Sequence, residues 1–189
     1  RANYDRAAAY AVLDAACVGH VAFALDGQPF VIPMLYARDG DRLLLHGGVS
    51  SRLLKALASG IECCVAVTHL DGLVLARSQF HHSVNYRSVV AFGRAQLIDD
   101  PAEKAAALVR LVEAIVPGRS VDARAADRQE LAATVVLGLP IADLAIGALV
   151  LVLLAGLVLF FWPLLSGLVR ALVLTVRPRR IAKNTPRAA

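Results

Sequence analysis

Three Asp-Gly pairs fall in the N-terminal part of the chain: Asp26-Gly27, Asp39-Gly40 and Asp71-Gly72. Each lies between runs of strand-forming residues. A two-residue hairpin loop needs positive φ, which Gly reaches freely and Asp at small cost, so Asp-Gly between apolar runs predicts a hairpin. Three such turns predict a mostly antiparallel sheet and argue against parallel strands with helical crossovers. Around them the pattern predicts a helix over 5–16 and strands over 18–25, 29–37 and 42–46. A helix follows from Ser50 or Ser51 to about Ser59, with Gly60 at its left-handed C-terminal position. Further strands are predicted over 61–70, 73–78 and 88–98. Asp99-Asp100-Pro101 opens a helix over 102–115. A polar loop over 119–127 and a strand over 130–139 complete the reading. The predicted fold is mainly β with α: a closed or half-closed barrel of about six strands with helices outside.

Charge is segregated. All 15 acidic residues lie at or before Asp143, and six of the 20 basic residues lie after Val169. Up to Asp143 the chain therefore carries 14 basic and 15 acidic side chains. A basic total without a basic domain is no phosphate-tracking footprint, so no nucleic-acid partner is expected. The cysteines are Cys17, Cys63 and Cys64. An odd count with two adjacent is no disulfide framework, and they read as small buried hydrophobes in a reducing compartment. Adjacent residues of a strand face opposite ways, so neither Cys63-Cys64 nor His81-His82 forms a metal pair, and no metal site is expected. No G-x-S-x-G elbow supports a hydrolase. Residues 1–6 open no apolar run of the kind that starts a signal peptide.

The stretch with the most chemistry is Leu43-Leu44-Leu45-His46-Gly47-Gly48-Val49-Ser50-Ser51-Arg52-Leu53-Leu54-Lys55. It reads as strand, glycine loop and capped helix. Unpaired N–H groups at a helix start bind anions, and Arg52 suits a phosphate through its planar fork of donors. Lys55, one turn on, adds charge. An ordinary capped helix with solvated Arg52 and Lys55 has the same spacing.

The run Phe30-Val31-Ile32-Pro33-Met34-Leu35-Tyr36, followed by Leu45-His46-Gly47 and Ser51-Arg52, resembles the pyridoxamine phosphate oxidase-like superfamily. Its flavin-nucleotide-binding, nitroimidazole-resistance-like branch is the most similar. Two further blocks agree in order: Asp71 to Ser78 with Phe80 to Gly93, including Asn85-Tyr86-Arg87-Ser88-Val89-Val90, and Val116 to Arg119 with Glu130 and Thr134. The resemblance spans residues 3–143. It implies an FMN-binding split β-barrel, a homodimer with FMN at the subunit interface, and a small-molecule substrate. By position, Ser51 and Arg52, with Lys55 nearby, would bind the FMN phosphate. Val31, Ile32 and Pro33 would lie along the flavin ring, with His46 beside it as the one catalytic candidate. Tyr86, Arg87 and Ser88 would line the cofactor or the dimer contact. The expected function is FMN-dependent oxidoreduction in a cytoplasmic domain. A flavin carrier or sensor without turnover, and a haem-binding split barrel, are the alternatives.

Beyond this domain (1–143) comes a hydrophobic segment, 144–170, and a basic tail, 171–189. Residues 146–168 include 15 Leu, Val, Ile or Phe and no charge. As a helix they extend roughly 35 Å, enough for a bilayer core of about 30 Å. Three readings of this C-terminal hydrophobic helix stay open: a membrane anchor, an apolar element buried in the dimer, and a non-native C-terminus such as a shifted reading frame. The basic tail favours a cytoplasmic C-terminus. A cytosolic flavin domain then needs a hairpin insertion broken at Pro163, or a tail that breaks the charge rule. The segment stands where the family has a polar stretch with a Ser-x-Lys element.

Overall fold

A computed structural model of the chain describes residues 5–141 and 143–148. Helix α1, Arg6–Asp14, starts behind Asp5, whose carboxylate accepts the Ala7 N–H at 3.1 Å. It buries Ala9, Val12 and Leu13. Strands β1 (Val18–Leu25), β2 (Gln28–Asp39) and β3 (Arg42–Gly48) follow as a meander. Asp26 and Gly27 both take positive φ, 52° and 78°, as the first hairpin requires. In the second hairpin Gly40 (φ 59°) and Asp41 form the loop, one residue later than Asp39-Gly40, because Asp39 still pairs with Arg42.

The third Asp-Gly pair corrects the prediction. Strand β4, Glu62–Val74, runs straight through Asp71-Gly72, and its register against β5 (Ser83–Arg94) slips between Leu70 and Gly72. Asp71 is the extra residue of a bulge, which leaves the partner strand unbroken. Its carboxylate accepts the Arg87 guanidinium at 2.9–3.0 Å. The hairpin turns later, through the 3-10 turn Gln79–His81. Of the predicted strand 73–78 only Leu73 and Val74 are strand, as the end of β4. The strand predicted at 88–98 begins at Ser83, breaks at Ala95 and resumes as β6, Gln96–Leu97.

Helix α2, Arg52–Ala58, and helix α3, Pro101–Ile115, carry their expected caps. The Asp100 carboxylate accepts the Glu103 N–H at 2.8 Å, and Pro101 takes the first turn, where no N–H is needed. The predicted polar loop 119–127 holds a short helix α4, Arg119–Asp122. The predicted strand 130–139 opens instead as helix α5, Arg128–Ala133, because Asp127 and Glu130 close a reciprocal capping box. Strand β7 is Thr134–Pro140.

The hydrophobic helix predicted from 144 is also corrected where it is described. Asp143–Ala148 forms strand β8, paired antiparallel with β5 from Phe92↔Asp143 to Arg87↔Ala148. An apolar run does not distinguish a buried strand from a helix, and here the unpaired edge of β5 decides. Residues 149–189, with the rest of the candidate span and the basic tail, lie outside the described residues. Among the described residues no helix is long and apolar enough to cross a membrane.

The sheet order is β6-β7-β3-β2-β1-β4-β5-β8. β5 and β6 stand near opposite ends of that order, yet only Ala95 separates them in sequence. One residue spans a few ångströms, so the two ends meet and the sheet curls into a barrel. A Cβ on Gly93 of β5 would lie 3.2 Å from Leu139 of β7, which confirms the closure. The other side is split: β2 pairs with β1 over Gln28 to Leu35 and with β3 only over Tyr36 to Asp39. The interior holds Val21, Tyr36, Leu43, Leu45, Val65, Val89 and Leu137, with Leu13 and the α2 leucines Leu53, Leu54 and Leu57. A second cluster, Ala37, Leu44, Val136, Ala107 and Leu111, seats α3 on the outside of β2, β3 and β7.

Candidate functional site

The split leaves one edge of β2 without a strand from Phe30 to Leu35. Which groups face that edge follows from alternation along the strand. The Tyr36 N–H donates to the Cys17 carbonyl at 2.9 Å, on the β1 side. Even-numbered residues of β2 therefore turn their backbone groups to β1, and odd-numbered ones turn theirs to the open edge. Pro29 and Pro33 fit this rule, since proline has no N–H to give a ladder. The edge thus presents the Val31 N–H and the Val31 and Pro33 carbonyls. Ile32 uses its backbone groups on Val21 and sends its side chain toward the core. Pro29 and Pro33, at like-facing positions of the strand, were the signal in the sequence that marks this edge.

Helix α2 lies beside the same stretch. The Ser51 hydroxyl oxygen accepts the Leu54 N–H at 3.3 Å, and the Ser51 carbonyl accepts the Lys55 N–H at 3.1 Å. The N–H groups of Arg52 and Leu53 are left at the helix end without an intrahelical acceptor. Gly47 allows the approach of α2 to β3: a Cβ there would stand 2.9 Å from Leu54 Cδ1. The Arg52 guanidinium lies 5.5 Å from the centre of the Phe30 ring, and Phe30 stacks on Phe23 at 5.2 Å. This aromatic pair, absent from the sequence-based candidates, brings Arg52 against the residue that precedes Val31. Lys55 is exposed one turn away.

His46 follows Leu45, the last β3 residue paired with β2. It faces outward with Leu44 and Val136. Its Nδ1 is buried with no hydrogen-bond partner. Burial pulls the imidazole pKa below its ordinary value, which keeps the ring neutral near pH 7. A neutral ring nitrogen without a partner can bond a ligand. Asn85, the first residue of the block Asn85 to Val90 that carries the resemblance, has a buried Oδ1 without a partner as well.

The block Tyr86, Arg87, Ser88 lies on β5, three strands from β2, or about 14 Å at ~4.8 Å per strand. Tyr86 and Ser88 pair with Leu70 and Thr68, and alternation puts them on the outer face with Val31, Pro33 and Leu35. Arg87 faces the other way and is held by Asp71. Within one copy the Arg52 guanidinium is thus brought beside the stretch of β2 that carries Val31 and Pro33, with Ser51 capping the same helix and Lys55 one turn on. Tyr86 and Ser88 are not brought there. On that outer face of β2, β1, β4 and β5 the apolar residues Val18, Val31, Leu35 and Phe92 are 40–64% exposed.

The family model for pyridoxamine 5′-phosphate oxidase matches residues 5–147. Among solved structures, the FAD and heme binding protein from Mycobacterium smegmatis is 38% identical, with a TM-score of 0.71, over 77% of this chain and 71% of that one. The flavocytochrome Anf3 from Azotobacter vinelandii is 41% identical, with a TM-score of 0.72, over 78% of this chain and 68% of that one. A candidate 5-nitroimidazole antibiotic resistance protein from Bacteroides thetaiotaomicron shares the fold at 20% identity and a TM-score of 0.65, over 77% and 85%. No curated protein matches the chain.

Proposed function

Because the chain belongs to the pyridoxamine 5′-phosphate oxidase family, we propose that it binds a flavin nucleotide and serves as an oxidoreductase acting on a small molecule. What carries this is the Arg52 guanidinium at the start of α2, held over Phe30 beside the open edge of β2 at Val31 and Pro33; the unpartnered ring of His46 is taken to face the same ligand. In this reading Arg52, with the Arg52 and Leu53 N–H groups, binds the phosphate, and Lys55 adds charge at the rim. The Ser51 hydroxyl keeps its hydrogen for the same anion while its oxygen caps the helix. The Val31 N–H and the carbonyls of Val31 and Pro33 meet the polar rim of the isoalloxazine. The flavin supplies the electron or hydride chemistry; the chain supplies anchoring and orientation. FMN is our first choice of flavin, and FAD, named for one of the relatives above, is the second.

A homodimer completes the proposal. Tyr86 and Ser88 lie too far from Arg52 within one copy, whereas a second copy seated on the outer face would bring its own β5 toward the first copy's β2. The domain is taken to work in the cytoplasm. For the C-terminus, residues 149–168 alone reach about 30 Å as a helix, so the sequence still allows a membrane anchor. Carbonate extraction of membranes checks that separately.

The test is direct: record the absorbance spectrum of the purified full-length chain, then titrate it with FMN and with FAD. A flavin band with saturable binding is expected, and no retention of either nucleotide would overturn the proposal. The same spectrum addresses a second reading, a haem site, which the names of the two relatives at 38% and 41% identity favour. Reduction by NADH or NADPH with a quinone or nitroaromatic acceptor separates an enzyme from a flavin carrier.

A further inference from the structure

The chain has five histidines, and their hydrogen bonds sort them as ligands for a metal. Imidazole binds a metal through a ring nitrogen that carries no hydrogen, and Nε2 stands clearer of its own backbone than Nδ1. His69 Nε2 meets the Val12 carbonyl at 2.9 Å; a carbonyl only accepts, so that nitrogen holds a hydrogen. His82 Nδ1 accepts the Ala76 N–H at 3.0 Å, which puts the hydrogen of the neutral ring on Nε2. His46 is half-buried, with Leu44 and Val136 on its face of the barrel, whereas a macrocycle needs an open surface around the nitrogen it binds. His20 and His81 are exposed. Neither ring nitrogen of His81 has a hydrogen bond among the described residues.

The surroundings separate these two. His20 stands mid-strand on β1, on the face that also carries the Glu62–Arg94 pair. His81 stands at the turn of the β4–β5 hairpin, which exposes Leu70, Leu73, Leu75 and Phe80 by 64–89%. Apolar side chains exposed together in this way mark a binding surface. Phe80 packs edge-on against the His81 ring, with centroids 5.4 Å apart. The hairpin is also free of negative charge: no Asp or Glu lies from Gly72 to Ile98, and Asp71 is taken by Arg87. Arg77, on the same turn, has no ion-pair partner among the described residues. The hairpin thus offers an open imidazole, an apolar surface and one unpaired cation.

We propose that His81 is the axial iron ligand of a haem that lies on the β4–β5 hairpin. This rests on the haem reading above. Haem is an apolar disc with propionates along one edge and an iron that takes a histidine nitrogen. The donor set fits each part: the imidazole for the iron, the exposed leucines and Phe80 for the disc, and Arg77 for the propionates. Haem carries its own nitrogens to the iron, so one protein ligand suffices and no cluster of metal-binding side chains is needed. His82 has a different part. Its bond to the Ala76 N–H ties the two limbs of the turn together and so holds the loop that presents His81.

Titration of the purified full-length chain with ferric haem, followed by absorbance and electron paramagnetic resonance, tests this. The wild type should give the spectrum of an imidazole-ligated haem. His81→Ala should lose that signature, and added imidazole should restore it. Its haem affinity should fall at least about tenfold, the loss that even an outer partner of a metal ligand causes. Arg77→Glu should weaken uptake and leave the ligation signature of the bound haem unchanged. His20→Ala should behave as the wild type. If His81→Ala keeps the signature, or if His20→Ala or His46→Ala abolishes it, the proposal fails while the haem reading stands. A wild-type chain that takes up no haem removes the haem reading and the proposal with it.

Discussion

The Arg52 guanidinium lies over the ring of Phe30, 5.5 Å from its centre. That contact joins the first turn of α2 to the open edge of β2, two elements that a hairpin and the whole of β3 separate along the chain. A cation held on an aromatic face keeps its outward donors free, since the ring takes none of its N–H groups. Arg52 is thereby positioned for an anion before any anion arrives.

Arg52→Ala should weaken flavin binding about 10- to 100-fold, the loss of one charge-assisted phosphate contact worth roughly 1.5–3 kcal/mol. Phe30→Leu keeps the charge and removes its platform, so its effect should be smaller. Fluorescence titration of both variants with FMN gives the order. Equal affinity for Arg52→Ala and wild type would move the phosphate site elsewhere.

Ser51 has two separable roles. Ser51→Ala loses the cap on α2, which typically costs about 1 kcal/mol and lowers Tm by a few degrees. Ser51→Asp keeps an oxygen for the Leu54 N–H, so Tm should be retained. Its negative charge should nonetheless repel a phosphate and lower flavin affinity more than Ser51→Ala does. Thermal melts alongside titrations resolve the two effects.

His46 makes stability depend on pH with a definite sign. Burial lowers its pKa in the folded chain below the ordinary imidazole value of about 6.5. The unfolded chain then binds the proton more readily, so stability is complete above that value. It declines as the pH falls from about 6.5 toward the lowered folded pKa. Melts of the flavin-free protein between about pH 8 and pH 5 should show that decline, and His46→Gln should remove part of it. An unchanged pH profile in the variant would mean that His46 is not buried as described.

The Tyr36 hydroxyl donates to the Leu13 carbonyl at 2.5 Å within the core, fastening α1 to β2. Tyr36→Phe leaves that buried carbonyl without its donor, a cost of about 1–3 kcal/mol. Urea unfolding should show a lower midpoint with an unchanged slope. A midpoint equal to wild type would show that water reaches the carbonyl.

Much of this architecture is legible locally. Asp26-Gly27 turns where the dipeptide predicts, and Ser51 and Asp100 cap the helices that their neighbours announce. Asp71-Gly72 does not turn, because the Asp71 carboxylate has Arg87 to pair with across the ladder, and a bulge preserves the strand. Residues 130–133 are helical although their composition allows a strand, because the capping box of Asp127 and Glu130 outweighs propensity. Residues 144–148 form a strand because β5 has a free edge there, a fact located far upstream in the chain.

The sequence by itself determined the antiparallel sheet, the capped helix after the glycine pair, the family and the candidates Ser51, Arg52 and His46. These rest on turn chemistry, on caps and on side-chain types, all of which act over short stretches of chain. Only the tertiary structure decided that β2 has an open edge at Val31 and Pro33, that Phe30 holds Arg52, and that Arg87 turns away toward Asp71. It also decided that Tyr86 and Ser88 stand three strands from β2. Each of these depends on which strands pair and in what register, and a register is set by burial summed over the whole sheet rather than by any local run of residues.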